Sequence, residues 1–419
     1  MTKTRWWFAW LMFMVSFVSY MDRVNFSVAT PEIMKEFGYG KMEIGWLQTA
    51  FFAGYALMQI PGGMMAEYFG HRRIVSGSVL WWSVFTVLTA VPSSFPGLAA
   101  VRCLFGMGEG PVYPAFNNFI GRWFPSGEKA RASSFLLSGS FIGPVFGPAI
   151  TVALMLALGW RSVFVIFGVV GVVVALLWYR YVKETPRQSP LVNEAERAYI
   201  EEDAVAGGKK MAPWSSFMRS RQFWAIGIQY FITDYIMFVF LAWLPLYLME
   251  AQKFSLQKMG WAAALPWAML CGLTFLAGYL SDRMVAAGVS KNKARTIFGM
   301  AGLLVCCVTL YLAATAGDPW MNVLWLTVSL GSLGFTFNAS WAACHDIGGA
   351  YAGSVAGWMN FWGNVGGVLA PIVTAWIATT YGWQSAIVFT SLSALIGVGA
   401  WALVKPDQSI QNIAEKQAV

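Results

Sequence analysis

Residues 62–73 read GGMMAEYFGHRR, and residues 277–295 read AGYLSDRMVAAGVSKNKAR. Each stretch sets a glycine four residues before an acid and adds basic residues: Gly63, Glu67, Arg72 and Arg73 in the first, Gly278, Asp282 and Arg283 in the second. Each also joins two long apolar runs. A pattern repeated half a chain apart makes one half a structural counterpart of the other. The two loops then hold equivalent places in a six-plus-six arrangement.

The runs around these loops number twelve, near 6–28, 44–66, 74–92, 96–120, 132–155, 162–182, 221–248, 259–281, 296–316, 319–342, 352–378 and 385–404. A helix needs about 20 apolar residues to cross a bilayer. Runs this long and this uniformly apolar do not suit the alternating strands of a barrel. Composition agrees: 58% of the 419 residues are hydrophobic and 11% charged, against about 25% charged in soluble domains. The 22 Trp and 15 Tyr suit belts at two interfaces. The expected fold is an all-α polytopic membrane protein, with twelve transmembrane helices in two six-helix bundles. Residues 1–182 form the first bundle, 183–220 a central loop, and 221–419 the second bundle with a short tail. NEAERAYIEEDA in the loop predicts a short surface helix with Asn193 as N-cap.

The N-terminal KTRWWFAWLMFMVSFV imitates a signal peptide but has no small-residue cleavage site, so it is expected to stay as the first span. Lys and Arg gather in alternate segments: Lys3 and Arg5, Arg72 and Arg73, Arg122 to Arg131, the central loop, Arg283 to Arg295, Lys405 and Lys416. The opposite side has Lys35, Lys41, Arg161, Lys253 and Lys258. This bias puts both termini in the cytoplasm. The net charge of +8 is thus spread over loops, which argues against nucleic acid as a partner. The five Cys lack disulfide or zinc spacing and read as packing residues, with no metal site. No nucleophile–base pair, ATP-binding loop or cofactor motif is present. G-x-G within GMGEGP has no strand before it, so it is not a nucleotide fingerprint.

Polar residues inside the runs are the candidate functional groups. A charge at the bilayer centre costs roughly 2.5–3.5 kcal/mol on insertion scales, so it faces a cavity or a partner. SYMDRVNFS, 19–27, carries Asp22 beside Arg23. Adjacent helical residues point about 100° apart, so one neighbour cannot satisfy both. Each could instead cap a different packing contact. Tyr20 shares a face with Arg23. Arg102 and Glu109 share a face of the fourth run about 10.5 Å apart, too far to pair directly. Glu109 lies among Gly106, Gly108 and Gly110 before Pro111. A poorly solvated carboxyl there is suited to carrying a proton, or is half of an inert pair. Tyr55 and Gln59 are spaced i, i+4, as are Asn360 and Asn364. Amides serve hydroxylated ligands with donors and acceptors, or bond neighbouring helices. Asn360 is the first choice, with Asn338 and Trp341 weaker ones. Asp234 reads as a proton site, a ligand for hydroxyls or a partner of Arg102. Gly139, Gly143 and Gly147 predict a close helix contact. His345 and Asp346 read as a solvated pair.

The two loop motifs resemble those of the major facilitator superfamily over nearly the whole chain, with Glu67-Tyr68 where Asp-Arg is usual. The resemblance implies a cytoplasmic gate at Gly63, Glu67, Arg72, Arg73, Asp282 and Arg283. Within that superfamily YMDR, GMGEGPVYPA, RWFP and ARA resemble the anion:cation symporter family, and spans 1–5 resemble galactonate and other hexonate or hexuronate carriers. The glycine-proline run 138–150 resembles a motif of antiporters. The family resemblance further implies that Asp22 and Glu109 couple protons and that Arg102 pairs with carboxylates across the interior; Asp234, where some similar carriers have a different polar residue, is expected in the same charge network. It also implies that Tyr20 and Tyr55 lie beside the substrate with Arg23, and Gln59, Asn360 and Trp341 complete the expected substrate-binding set. The expected activity is proton-coupled symport of an organic anion, a sugar acid first, by alternating access in a bacterial inner membrane. Its partners would be the anion, protons and the lipid bilayer, with the protein a monomer and no cofactor. Alternatives are an aromatic or small dicarboxylate anion, anion exchange, or a transporter-like sensor.

Overall fold

The computed structural model describes residues 2–92, 94–201 and 214–408. Lys209, Lys210, Lys416 and the tail beyond 408 lie outside the described residues. The chain divides into two compact units, one built from the described residues up to 201 and the other from 214 onward.

The first unit contains α1 (Thr4–Phe37), α2 (Lys41–Phe69), α3 (His71–Leu88), α4 (Phe95–Glu109), α5 (Val112–Trp123), α6 (Ser126–Leu158), α7 (Trp160–Tyr181) and α8 (Glu194–Glu201). The second contains α9 (Trp214–Arg219), α10 (Arg221–Glu250), α11 (Leu256–Ala262), α12 (Ala264–Ala286), α13 (Lys291–Thr315), α14 (Pro319–Gly348) and α15 (Ala352–Trp401). All twelve predicted apolar runs fall on helix. The form differs from the prediction in four places, the eighth run being divided at Ala263 into α11 and α12. The fourth is divided at Gly110–Pro111 into α4 and α5, because proline has no N–H to continue the ladder. The last two join in α15 through Gly382, whose φ of 85° and ψ of 167° turn the chain sharply between them. The first helix runs nine residues beyond its apolar stretch. Its end is set by Gly38, left-handed at φ 70°, whereas hydropathy marks only the part that lipid must cover.

Among the described residues, seven helical stretches are long and apolar enough by themselves to cross a membrane, six of them from α7 onward, with α11–α12 as one, and the other being most of α6. Helices α4 and α5 are too short to count by themselves at 15 and 12 residues, and polar residues lower the apolarity of α1 to α3. Glycines set the packing. A Cβ on Gly54 would collide with the Cys103 carbonyl and one on Gly106 with the Phe51 carbonyl, so α2 and α4 touch backbone to backbone. The predicted glycine ridge of α6 does the same against α1: Cβ atoms on Gly139 and Gly143 would lie 2.6 Å and 2.9 Å from the carbonyl oxygens of Phe13 and Phe17.

The predicted loop helix is α8. The Asn193 side chain caps it by accepting the Glu196 N–H at 2.9 Å. One face is not a surface. Glu196 is fully buried and accepts from the Thr4 N–H at 3.1 Å, Thr2 Oγ1 at 2.6 Å and Arg5 Nη1 at 2.7 Å. Arg5 also donates from Nε to Glu128 of α6 at 2.7 Å. Burial pushes the Glu196 carboxyl up, but these donors outweigh it and leave it below the usual glutamate range. A carboxyl lowered in the folded state adds stability above its unfolded value and loses it as pH falls through the folded one. Glu196→Gln should therefore weaken α8 docking by about 1.5–3 kcal/mol at neutral pH. Amide exchange in α8 should be faster in the variant at neutral pH and should converge with wild type in acid.

Candidate functional site

Helix α4 is pressed between two neighbours. Gly106 and Gly110 face the α2 backbone at Phe51 and Tyr55, and Gly108 meets Trp81 and Trp82 of α3. The small faces bring both helices in, and Glu109 is left pointing at α1. There its Oε1 accepts from Ser19 Oγ at 3.0 Å and its Oε2 from Arg23 Nε at 2.8 Å. Arg23 is 5% exposed and Glu109 1%. The Arg23 guanidinium carbon lies 4.5 Å from the Tyr20 ring centre, 4.6 Å from Tyr55 and 5.3 Å from Phe51. The predicted Tyr20, Arg23 and Tyr55 thus meet in one cluster. A guanidinium carries five N–H donors in a fork, and Nη2 of Arg23 is buried with no partner among the described residues.

Asp22 points elsewhere, as the 100° offset requires. It is 1% exposed. Oδ1 accepts from Asn25 Nδ2 at 3.3 Å, and Oδ2 has no partner among the described residues. Arg102, 3% exposed, lies over rings rather than against a carboxylate: 4.2 Å from Phe26, 4.9 Å from Phe51 and 5.0 Å from Phe105. Its Nε is also unpartnered among the described residues. Phe51 therefore lies between two guanidinium groups, lending each a cation–π contact. Gln59 is half-buried.

The sequence reading missed Ser19, which lies i−4 from Arg23 and shares its face. It also missed a hydroxyl triad. Tyr113 Oη is 2.8 Å from Ser16 Oγ and 2.6 Å from Ser140 Oγ, and the two serines are 2.8 Å apart. Isolated serines in apolar runs give no signal until three helices bring them together.

In the second unit the Trp341 indole donates to Tyr230 Oη at 3.1 Å. Asn364 donates to the Asn360 carbonyl at 2.8 Å, a bond inside its own helix. Asn360 is half-buried, and Asn338 packs against Gly278. Asp234 and Arg102 lie in different units, each described within its own.

The two loop motifs are organised by acids the sequence reading did not choose. The Arg72 N–H, at the start of α3, donates to Glu184 Oε1 at 3.1 Å, and His71 Nδ1 lies 3.3 Å from Glu184 Oε2. In the second unit the Asn292 N–H, at the start of α13, donates to Asp407 Oδ1 at 3.0 Å. Both acids follow the last membrane helix of their unit and sit at a helix N-terminus, where an anion is favoured. VKET at 182–185 and VKPD at 404–407 are the signal that could have found them. Asp282 lies 3.5 Å from Arg295, which with Lys291 also pairs with Asp346 at 3.4 Å and 2.8 Å. Asp346 is thus part of this cluster rather than half of a solvated pair with His345. Glu67 and Arg73 are exposed, and Arg283 lies 5.3 Å from the Tyr279 ring.

Membrane-length helices carrying buried, partly unspent charges fit a multi-pass membrane transporter. The chain matches the Major Facilitator Superfamily model over residues 12–371 and belongs to that family. It is 32% identical to the probable anion transporter 4, chloroplastic, of Oryza sativa subsp. japonica, covering 97% of this chain and 69% of that one. It is 30% identical to the probable galactarate/D-glucarate transporter of Bacillus subtilis (strain 168), covering 96% and 92%. These relatives are consistent with an anion:cation symporter within the superfamily. A bacterial homolog of the human lysosomal transporter Spinster, solved inward-facing and occupied, superposes with TM-score 0.80 at 18% identity, covering 96% of this chain and 97% of that one. That likeness shows the fold.

Proposed function

We propose that this protein is a proton-coupled symporter of an organic anion, a sugar acid of the hexonate, hexuronate or aldarate kind, working by alternating access in a bacterial inner membrane with both termini cytoplasmic. The observation that carries the reading is Arg23. Its guanidinium is buried, fixed by Glu109, Tyr20 and Tyr55, and keeps an unspent buried donor at Nη2. A carboxylate is the ligand that a fixed guanidinium fork matches. Asp22 and Glu109 carry the protons, Gln59, Asn360 and Trp341 serve the hydroxyls, and the loop clusters gate the path. The galactarate/D-glucarate relative supports the choice of a sugar acid.

A thermal-shift screen of the purified protein against hexonates, hexuronates, aldarates, small dicarboxylates and aromatic acids tests the substrate class. A ligand at 100 times its Kd stabilises by about 2.7 kcal/mol, so a sugar acid should raise the Tm by several degrees. A rise confined to aromatic acids or dicarboxylates overturns the sugar-acid assignment. No rise with any anion overturns the anion reading.

A further inference from the structure

Asp234 lies midway along α10 and is 7% exposed. It makes no hydrogen bond or ion pair with a described residue. Its carboxyl is held in place by shape. Gly363 of α15 faces it so closely that a Cβ there would collide with Asp234 Oδ2, and the same Cβ would lie 2.8–2.9 Å from the Tyr230 ring. Tyr230 is one helical turn before Asp234 and is oriented by the Trp341 indole. Asp234 Oδ2 and the Tyr230 ring thus both lie against Gly363 in the second unit.

Among the described residues of the second unit, no charged group on a neighbouring element pairs with Asp234. On α10 itself the nearest ionisable side chains are Tyr230 and Tyr235. Helix α15 carries Tyr381 alone, and α14 carries Cys344, His345 and Asp346 at its C-terminal end. Helices α11 and α9 supply Lys258 and Arg219, each on a short helix flanking α10. None of these is bonded to Asp234. An ionised carboxylate buried without a partner costs several kcal/mol, and it would also repel an anion. The protonated acid avoids both and presents one donor and one acceptor.

We propose that Asp234 is a proton-carrying ligand of the transported anion, donating its proton in a hydrogen bond to a substrate oxygen. This rests on the anion-symport reading and adds a proton site in the second unit to those in the first. Binding of the anion and of this proton are then linked: each strengthens the other.

Infrared spectra recorded from acid to neutral pH test the protonation by itself. Wild type should show a protonated-carboxyl carbonyl band that Asp234→Asn lacks. Asp22 and Glu109 give bands of their own, so the wild-type minus Asp234→Asn difference spectrum decides: if it holds no protonated-carboxyl carbonyl band, the proposal falls, whatever the substrate is. D-glucarate binding and uptake give the second arm. Asp234→Asn keeps a donor and should bind D-glucarate within about threefold of wild type, with a flatter pH dependence. Asp234→Ala and Gly363→Ala should each weaken binding at least tenfold, the latter by displacing the carboxyl. Wild-type transport with an unchanged pH profile in Asp234→Asn overturns this inference and leaves symport standing. Absence of D-glucarate binding in wild type counts against the sugar-acid reading alone, and the infrared arm still decides Asp234.

Discussion

Arg23→Ala should reduce anion uptake in proteoliposomes to background. Truncating one partner of a buried charged contact costs about 2–5 kcal/mol, or roughly 30- to 4,000-fold in affinity. The substitution also strips Glu109 of its cation while leaving the carboxyl 1% exposed. Breaking a buried pair in this way costs about 3–5 kcal/mol of stability, so the single variant could fail by unfolding. Arg23→Ala with Glu109→Gln removes that charge and separates the two effects. The double variant should recover the folded yield and still bind no anion. Anion affinity equal to wild type in a folded Arg23→Ala protein would remove Arg23 from the site. Arg23→Lys should fall between, because an ammonium keeps the charge but not the planar fork that sits between Tyr20 and Tyr55.

Asp22→Asn should abolish accumulation against a gradient while counterflow exchange of the anion continues within a few-fold of wild type. Asparagine has the shape of aspartate, and Asp22 has one hydrogen bond to lose, to Asn25. Little packing is disturbed, so the change removes a proton acceptor and not a structural contact. Uphill accumulation that persists in Asp22→Asn would end its assignment to coupling. Loss of exchange together with accumulation would place Asp22 in substrate binding instead.

Much of this architecture was legible from the chain. Twelve apolar runs, the repeated loop motif and the composition were enough for an all-α polytopic protein, because lipid forces backbone bonds to close within each span. Periodicity alone put Tyr20 on the Arg23 face and set Asp22 apart from it. The glycine spacing of 139–147 announced a close helix contact, and the fold makes α1 the partner. Some boundaries were not legible, since hydropathy measures what lipid covers and caps such as Gly38 decide where a helix stops.

The partners of the buried charges were beyond the sequence. Nothing in GMGEGP says that Glu109 will reach Ser19 and Arg23, because that depends on how closely Gly106 and Gly110 let α2 approach. Arg102 could be expected to seek a carboxylate, yet its guanidinium lies over Phe26, Phe51 and Phe105. Glu184 and Asp407 bond to helix starts more than a hundred residues away. The order of residues dictated which groups had to be buried, because each span must be apolar and any charge within it stands out. Which of those groups meet was settled in the folded bundle, because pairing there depends on the distance between helix backbones, and glycines far apart in the chain set that distance.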